Sequence, residues 1–273
     1  MLQAMKVDKR SPIPLYYQLA EQLREQIEAG LLPAGTQLPP ERELSEQVGI
    51  SRMTARQAVA YLERAGVLEV KPGVGTFVAA PKHTYDALHL LSFTAEIMRQ
   101  GGKTSSQVLE QVITTPPIRV ARGLQLLSDE PVVKLVRLRF AESMPLLQET
   151  IYIPTALCPD LVENDLQTQS LYALLEAHYA LRLEHTRQML EATVANEYEA
   201  SLFGIALGSP MLLLEGITYA QNEQPVEYFK AIYRGDRVRF ELESRRNDFS
   251  PPQADATHQP ALVPVIDALS SFI

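Results

Sequence analysis

The chain has 273 residues and a formal net charge of −8, and 46% of it is hydrophobic against 21% charged. These values are typical of a globular protein with one large or two moderate domains. Its single cysteine, Cys158, excludes an intramolecular disulfide and a cysteine-rich zinc site, and is expected to be a small buried apolar group. No long apolar run or secretory signal is evident, which predicts a cytoplasmic protein without a membrane partner.

The charge is unevenly distributed along the chain. The first 82 residues contain ten basic and nine acidic side chains, so this part carries +1 and the remainder carries −9. The overall negative charge therefore does not exclude a nucleic-acid partner for the first part. A charge of +1 is modest, so tight binding would need two copies on one site.

The chain begins with polar residues up to about residue 12. Leu15, Leu19, Leu23 and Ile27 then recur every four residues, which predicts an amphipathic helix that ends at Gly30. A proline-rich connector follows in residues 31–40.

Residues 41–66 have the pattern of two short helices joined by a tight turn. Gly49 is placed to end the first helix, and Ser51 is placed to cap the second. The second helix would leave a polar edge exposed: Arg52, Thr54, Arg56 and Gln57. Arginine forks and a hydroxyl near the start of a helix suit the major groove of DNA, as in a helix-turn-helix.

Residues 67–70 and 76–78 are predicted strands around the glycine-rich segment 71–75. They form a hairpin, or wing, with Lys71 at its tip, where Gly73 and Gly75 allow backbone N–H groups to approach phosphate. An ordinary helical hairpin with solvated arginines is the alternative for the two helices alone. The wing that follows them favours DNA binding.

The second half predicts an α+β domain in which helices pack against an antiparallel sheet, because hairpins dominate it. The predicted helices are residues 92–102, 117–127, 171–179 and 197–203. The predicted strands are residues 108–114, 132–140, 145–154, 185–195, 211–219 and 226–240.

No enzyme motif, cofactor fingerprint or metal-binding spacing is present, and the five histidines are scattered. Polar side chains instead lie on apolar strands or at helix starts. Two arginines with helix starts suit a phosphate or carboxylate, glutamates suit an amine or sugar hydroxyls, and tyrosines provide flat walls. For any one of these residues, internal pairing is the alternative. The set is Ser92, Thr94, Arg137, Arg139, Glu149, Ser170, Tyr172, Glu227 and Tyr233.

The chain ends in a proline-rich segment from Ser250. The apolar residues after Pro264 recur at helical spacing. A frayed end and a short helix docked on this or a partner subunit both remain open.

Residues 12–79 resemble the winged helix-turn-helix of the GntR family of bacterial transcription regulators. The resemblance rests on the segments 14–19, 35–39, 41–44, 51–56 and 73–78. It implies DNA contacts by Arg42, Ser51, Arg52, Thr54, Arg56, Lys71 and Gly73, to which the exposed edge and the wing add Gln57 and Gly75. Pro40 replaces a serine found in many members, so a hydroxyl–phosphate contact is lost while the helix is expected to persist.

Residues 92–242 resemble the UTRA effector domain of the HutC-type branch, whose fold is similar to chorismate lyase. The segments 91–94, 137–139, 149–154, 170–172 and 233–237 carry this resemblance. In amino-sugar-responsive members, the helix start and an arginine hold phosphate and a glutamate meets the sugar. These roles would fall on Ser92, Thr94, Arg137 or Arg139, and Glu149, with Phe93 in the same matching segment.

We therefore expect a DNA-binding domain in residues 1–79, a linker in residues 80–91, an effector domain in residues 92–246 and a tail in residues 247–273. The predicted function is transcription regulation, most simply repression. A homodimer would bind a palindromic operator on double-stranded DNA, under control of a phosphorylated amino sugar or of a carboxylate from amino-acid catabolism. A lyase-like enzyme and an architectural DNA binder are the alternatives.

Overall fold

The computed structural model describes residue 3 and residues 5–86, 92–127 and 129–243. The predicted tail lies outside the described residues. So do His89, His258 and the last residues of the predicted linker.

The first part of the chain is three helices followed by a hairpin, as predicted. Its elements are α1 (Leu15–Glu28), α2 (Glu41–Val48), α3 (Arg52–Arg64), β1 (Leu68–Lys71) and β2 (Gly75–Val78). Leu19, Leu23, Leu44 and Leu62 are completely buried in one apolar cluster, so the helical spacing of leucines builds this core. Helix α2 begins directly after Pro40, which confirms that proline is tolerated there.

The turn between α2 and α3 has the predicted caps. Gly49 ends α2 with φ 72°, a left-handed conformation that glycine adopts without a steric penalty. The Ser51 side chain accepts a hydrogen bond from the Thr54 N–H at 3.1 Å, which caps α3. These two caps fix the direction in which α3 leaves the turn.

The second part of the chain is larger and contains both helices and strands. Its strands are β3 (His83–Asp86), β4 (Thr104–Thr114), β5 (Val132–Ala141), β6 (Met144–Pro154), β7 (Leu183–Val194), β8 (Pro210–Ala220), β9 (Pro225–Arg234) and β10 (Val238–Glu241). Its α-helices are α4 (Phe93–Arg99), α5 (Ile118–Gly123), α6 (Leu171–Ala177) and α7 (Glu197–Phe203), and a 3₁₀ turn spans Leu161–Glu163.

Six of these strands form one antiparallel sheet in the order β4-β5-β6-β9-β8-β7. Helices cover both faces, so the sheet is the middle layer of the domain. One face packs on α4 and α6 through apolar clusters that include Phe93 and Leu171. The opposite face packs on α5 and α7 through clusters that include Val120 and Phe203. The predicted α+β architecture is confirmed.

One prediction about strands was wrong, and one strand was not predicted. The long strand predicted for residues 226–240 breaks after Arg234, where Gly235 passes so close to β8 that an added Cβ would lie 2.9 Å from the Pro210 carbonyl oxygen. The segment interpreted as a linker contains β3, which pairs in parallel with β10 as a separate two-stranded sheet. Parallel pairing joins distant segments and leaves no turn signal between them.

The two halves touch near the break after β9. Gly66 packs so tightly on the backbone of Asp236 that a side chain would overlap its carbonyl oxygen. The Lys82 ammonium donates a hydrogen bond to the Gly235 carbonyl at 2.7 Å, and Arg237 lies 3.8 Å from the Glu69 carboxylate of β1. Among the described residues, no helix is both long and apolar enough to cross a membrane.

Candidate DNA-binding surface and effector cavity

The exposed edge of α3 carries the predicted base-reading residues. Arg52, Arg56 and Gln57 are exposed, and Thr54 is half-buried. The Arg52 side chain is 71% exposed and its Nε lies 3.6 Å from a Glu41 carboxylate oxygen. Exposed ion pairs of this kind contribute little to stability, so a guanine edge or a phosphate can replace the carboxylate.

Two further predicted DNA contacts flank this edge. The Arg42 side chain is 79% exposed and lies 3.8 Å from Glu46 one turn further along α2. Ser51 is exposed, but its hydroxyl already caps α3 and lies 2.8 Å from the Thr54 hydroxyl. Both hydroxyls therefore sit together at the start of the helix that would enter the groove.

The tip of the wing has positive φ angles, a backbone conformation that favours glycine. Gly73 has φ 73° with open space where a Cβ would stand, and Gly75 has φ 146°. A Cβ on Gly75 would lie 2.5 Å from the end of the flexible Gln37 side chain, which can move away, so the positive φ is what favours glycine at this position. The Lys71 ammonium lies 5.1 Å from the centre of the Phe77 ring and remains exposed. The wing thus presents backbone and one positive charge to solvent.

A cavity of about 110 Å³ lies on the α4–α6 face of the six-stranded sheet. Nine of the ten predicted effector residues line it: Ser92, Phe93, Arg137, Arg139, Glu149, Ser170, Tyr172, Glu227 and Tyr233. The tenth, Thr94, stands behind the wall, where its hydroxyl accepts a hydrogen bond from Arg139 Nη2 at 2.9 Å. The structure therefore brings the predicted set together in one place.

The centre of the cavity wall is an ion cluster of two arginines and one glutamate. Arg137 and Glu149 face each other directly across β5 and β6, and their side chains approach to 2.6 Å. Arg139 reaches the same carboxylate oxygen at 2.9 Å. Burial would raise the pKa of Glu149, but the two guanidinium groups outweigh it and hold the pKa below its usual value. Glu149 is therefore an anion paired within the protein.

Arg139 has a side-chain nitrogen without a hydrogen-bond partner within the described part of the chain. Its Nη1 bonds Glu149, its Nη2 bonds Thr94, and its guanidinium lies 4.5 Å from the centre of the Phe93 ring. Its Nε is buried and has no hydrogen-bond partner among the residues that the structure describes. A buried charged donor without an acceptor is costly, which makes this atom a natural contact for an anionic ligand.

A second carboxylate, Glu227, lies apart from the arginine pair. It accepts hydrogen bonds from the Thr218 hydroxyl at 2.7 Å and from the Tyr172 hydroxyl at 2.9 Å. Burial raises the pKa of this carboxyl to about 7, although the two hydroxyl donors oppose the shift. Glu227 can therefore change charge near neutral pH, or be held ionised by a cationic ligand group.

The two predicted helix starts meet at the rim. Ser92 accepts the Ala95 N–H at 3.2 Å to cap α4, and Ser170 accepts the Ala173 N–H at 3.5 Å to cap α6. Their hydroxyl oxygens are 3.5 Å apart. The capping predicted for α4 is confirmed, but both helices have only 7 residues, so their dipoles are small.

Sequence reasoning missed several wall residues: Tyr85, Asp86, Thr186, Gln188, Phe229 and Phe240. The alternation of β7 and β9 contains a signal for some of them, since Thr186 and Gln188 share one strand face. No local pattern identified those on β3 and β10. Among the described residues, no cluster of histidine, cysteine, aspartate and glutamate could hold a metal ion.

A winged helix-turn-helix joined to a sheet domain with a buried, charged cavity defines a ligand-responsive DNA-binding regulator. The family model for bacterial regulatory proteins of the gntR family matches residues 15–78, and the UTRA domain model matches residues 99–239. The chain therefore belongs to the GntR family, in its UTRA-containing, HutC-type branch. The first match lies within the predicted DNA-binding domain and the second within the predicted effector domain. The exact ends of both domains remain predictions.

The chain matches nearly the whole length of several transcription regulators. The transcriptional repressor NagR of Bacillus subtilis is 38% identical over 236 residues, which cover 86% of this chain and 97% of that protein. The mannosyl-D-glycerate transport/metabolism system repressor MngR of Escherichia coli is 29% identical over 233 residues, covering 85% and 97%. The structure of PhnF from Mycobacterium smegmatis is 27% identical with a TM-score of 0.61, and the match covers 84% of this chain and all of that one. The chain is a DNA-binding transcriptional repressor rather than an enzyme.

Proposed function

We propose that this repressor binds a palindromic operator as a homodimer and releases it when a small anionic metabolite, best a phosphorylated amino sugar, occupies the cavity. The observation that carries the proposal is Arg139, which lines the cavity and whose buried Nε has no hydrogen-bond partner among the described residues. The DNA contacts are those predicted on α2, α3 and the wing, and the effector contacts are those that line the cavity.

The cavity suits a ligand that carries both signs of charge. Glu149 offsets one of the two positive charges of Arg137 and Arg139, and Glu227 and Asp86 add carboxyl groups to the same wall. The carboxylates would repel a fully anionic ligand. A ligand with a phosphate at Arg139 and an amine near Glu227 would pair with both the positive and the negative groups of the wall. MngR, whose name refers to a sugar derivative, is consistent with a sugar-based effector.

The effector releases the operator if it binds the form with displaced DNA-binding domains more tightly than the form that fits DNA. The free energy of operator binding then weakens by the difference between these two effector-binding free energies, and such couplings are typically about 1–3 kcal/mol. Two subunits are needed because the first 82 residues carry only +1, so one copy gains little from phosphate contacts. A dimer would place two α3 helices in successive major grooves, about 34–36 Å apart.

The experiment is operator release measured with a matched set of probes. A genomic fragment selected by the purified protein is titrated with glucosamine 6-phosphate, glucose 6-phosphate, glucosamine, inorganic phosphate and glutamate. We expect release at the lowest concentration with glucosamine 6-phosphate, and weaker release when either the amine or the phosphate is missing. Release by glutamate alone would instead identify a carboxylate effector, and no response to any probe would contradict the proposal.

A further inference from the structure

Tyr85 is a cavity residue that belongs to the connection between the two halves. It lies on β3, and it is only 6% exposed. Its ring packs against Phe93, Tyr233 and Phe240 with ring centres 6.4, 5.4 and 5.7 Å away. The aromatic packing fixes the ring beside the cavity that it lines.

The packing leaves the Tyr85 hydroxyl unsatisfied. This oxygen is buried and has no hydrogen-bond partner within the described part of the chain. A buried phenol almost always finds a partner, because leaving water without one destabilises the folded state. A hydroxyl retained under these conditions at a cavity wall points to a partner that arrives from outside.

The second unsatisfied donor of the cavity is Arg139 Nε. Both residues pack on the Phe93 ring, whose centre lies 6.4 Å from the Tyr85 ring centre and 4.5 Å from the Arg139 guanidinium, and both line the same cavity. Both groups donate protons and both lack an acceptor among the described residues. One ligand group with several acceptor oxygens would satisfy the two together.

We propose that the Tyr85 hydroxyl and Arg139 Nε together bind the anionic group of the effector, so that the effector contacts the strand joining the DNA-binding half to the cavity. This assignment rests on the proposed function, in which the cavity takes a small anionic effector.

The position of β3 gives the contact a consequence for regulation. Four residues, 79–82, separate β3 from the last strand of the wing. Strand β3 pairs with β10, which follows the Asp236–Arg237 turn that touches Gly66 and Glu69. An effector held by Tyr85 therefore acts on the same elements that position the wing.

The test is Tyr85→Phe, which removes the hydroxyl and keeps the ring. Tyr152→Phe is the matched control, because Tyr152 lies on β6 with its ring against Tyr228 on the opposite face of the sheet. Binding of glucosamine 6-phosphate, glucose 6-phosphate and inorganic phosphate is measured by calorimetry on the full chain, together with thermal unfolding without ligand. We expect Tyr85→Phe to weaken binding of the phosphate probes by about tenfold or more, the loss of one hydrogen bond to a charged group.

Thermal unfolding separates a binding role from a structural one. Removing an unpartnered buried hydroxyl should leave the Tm of the free protein equal or higher, whereas a structural hydrogen bond would make Tyr85→Phe less stable. Unchanged affinity in Tyr85→Phe, or a lowered Tm, overturns the assignment while the proposed function stands. Wild-type protein that binds none of the probes contradicts the proposed function and this assignment with it.

Discussion

Arg52 is the residue on which base recognition rests most directly. It is exposed, and within the described part of the chain its ion pair is a 3.6 Å contact to Glu41, so its guanidinium is available to a guanine edge. Arg52→Ala should cost about 1–3 kcal/mol for each subunit bound to the operator and relax specificity at one base pair of each half-site, as expected for a base contact. Lys71→Ala should weaken all sequences alike. The measurement is affinity for the operator and for single-base variants; an Arg52→Ala protein that discriminates normally would remove Arg52 from base reading.

Glu227 gives the effector domain a pH dependence with a defined sign. Burial raises the pKa of this carboxyl from 4.5 to about 7, so between these values the folded protein holds a proton that the unfolded chain has lost. The free energy of unfolding must therefore fall as pH rises through this window, by roughly 3 kcal/mol at most. Below the window the carboxyl is protonated in both states and imposes no cost.

Glu227→Gln isolates this contribution, because glutamine keeps hydrogen-bonding capacity without ionising. Urea unfolding of both proteins at pH values of about 5 and 8 should show a larger loss of stability in the wild type, by about 2–3 kcal/mol. Parallel losses in the two proteins would mean that the Glu227 carboxyl titrates at its ordinary pH.

At the scale of elements, the contact between the halves depends on Gly66. Gly66 and Gly30 both follow helices with left-handed φ values of 72° and 74°, but only Gly66 abuts another backbone, that of Asp236. Gly30→Ala should lose about 1–2 kcal/mol from its conformation alone. Gly66→Ala should lose more, because the added methyl forces the Asp236 turn away, and limited proteolysis within residues 79–82 should become faster. Equal losses of stability and unchanged proteolysis would show that this contact does not hold the halves together.

The elements that sequence predicts well are those with a local signal. Helix α7 and the hairpin of β5 and β6 follow from a capping residue, a 3.6-residue period or alternation around a turn. The same alternation places Arg137 and Arg139 on one face opposite Glu149. The pairing of β3 with β10 has no such signal, because it joins segments about 155 residues apart in parallel. Tyr85 was missed for this reason, and the pairing of Glu149 with both arginines required the register.

At the scale of the whole molecule, the repressor combines a slightly basic DNA-binding domain with an acidic effector domain. The first 82 residues carry +1 and the remainder −9, so the effector domain is repelled by DNA while the winged helix is weakly attracted. Affinity must then come from a few defined phosphate contacts repeated in two subunits. The dependence of operator affinity on salt counts those contacts, because each phosphate that the protein neutralises contributes about 0.9 to the slope.

Lys71→Ala therefore tests the dimer through the salt dependence. If both wings of a homodimer touch phosphate, the variant should make the slope of log affinity against log salt shallower by about 2, whereas one bound subunit would change it by about 1. Lys103→Ala is the matched control, since it removes an equal charge from an exposed position in the effector domain and should leave the slope unchanged. Operator affinities of the three proteins over a series of salt concentrations give the slopes. A change of about 1 would contradict two-subunit binding, and no change would place Lys71 outside the DNA interface.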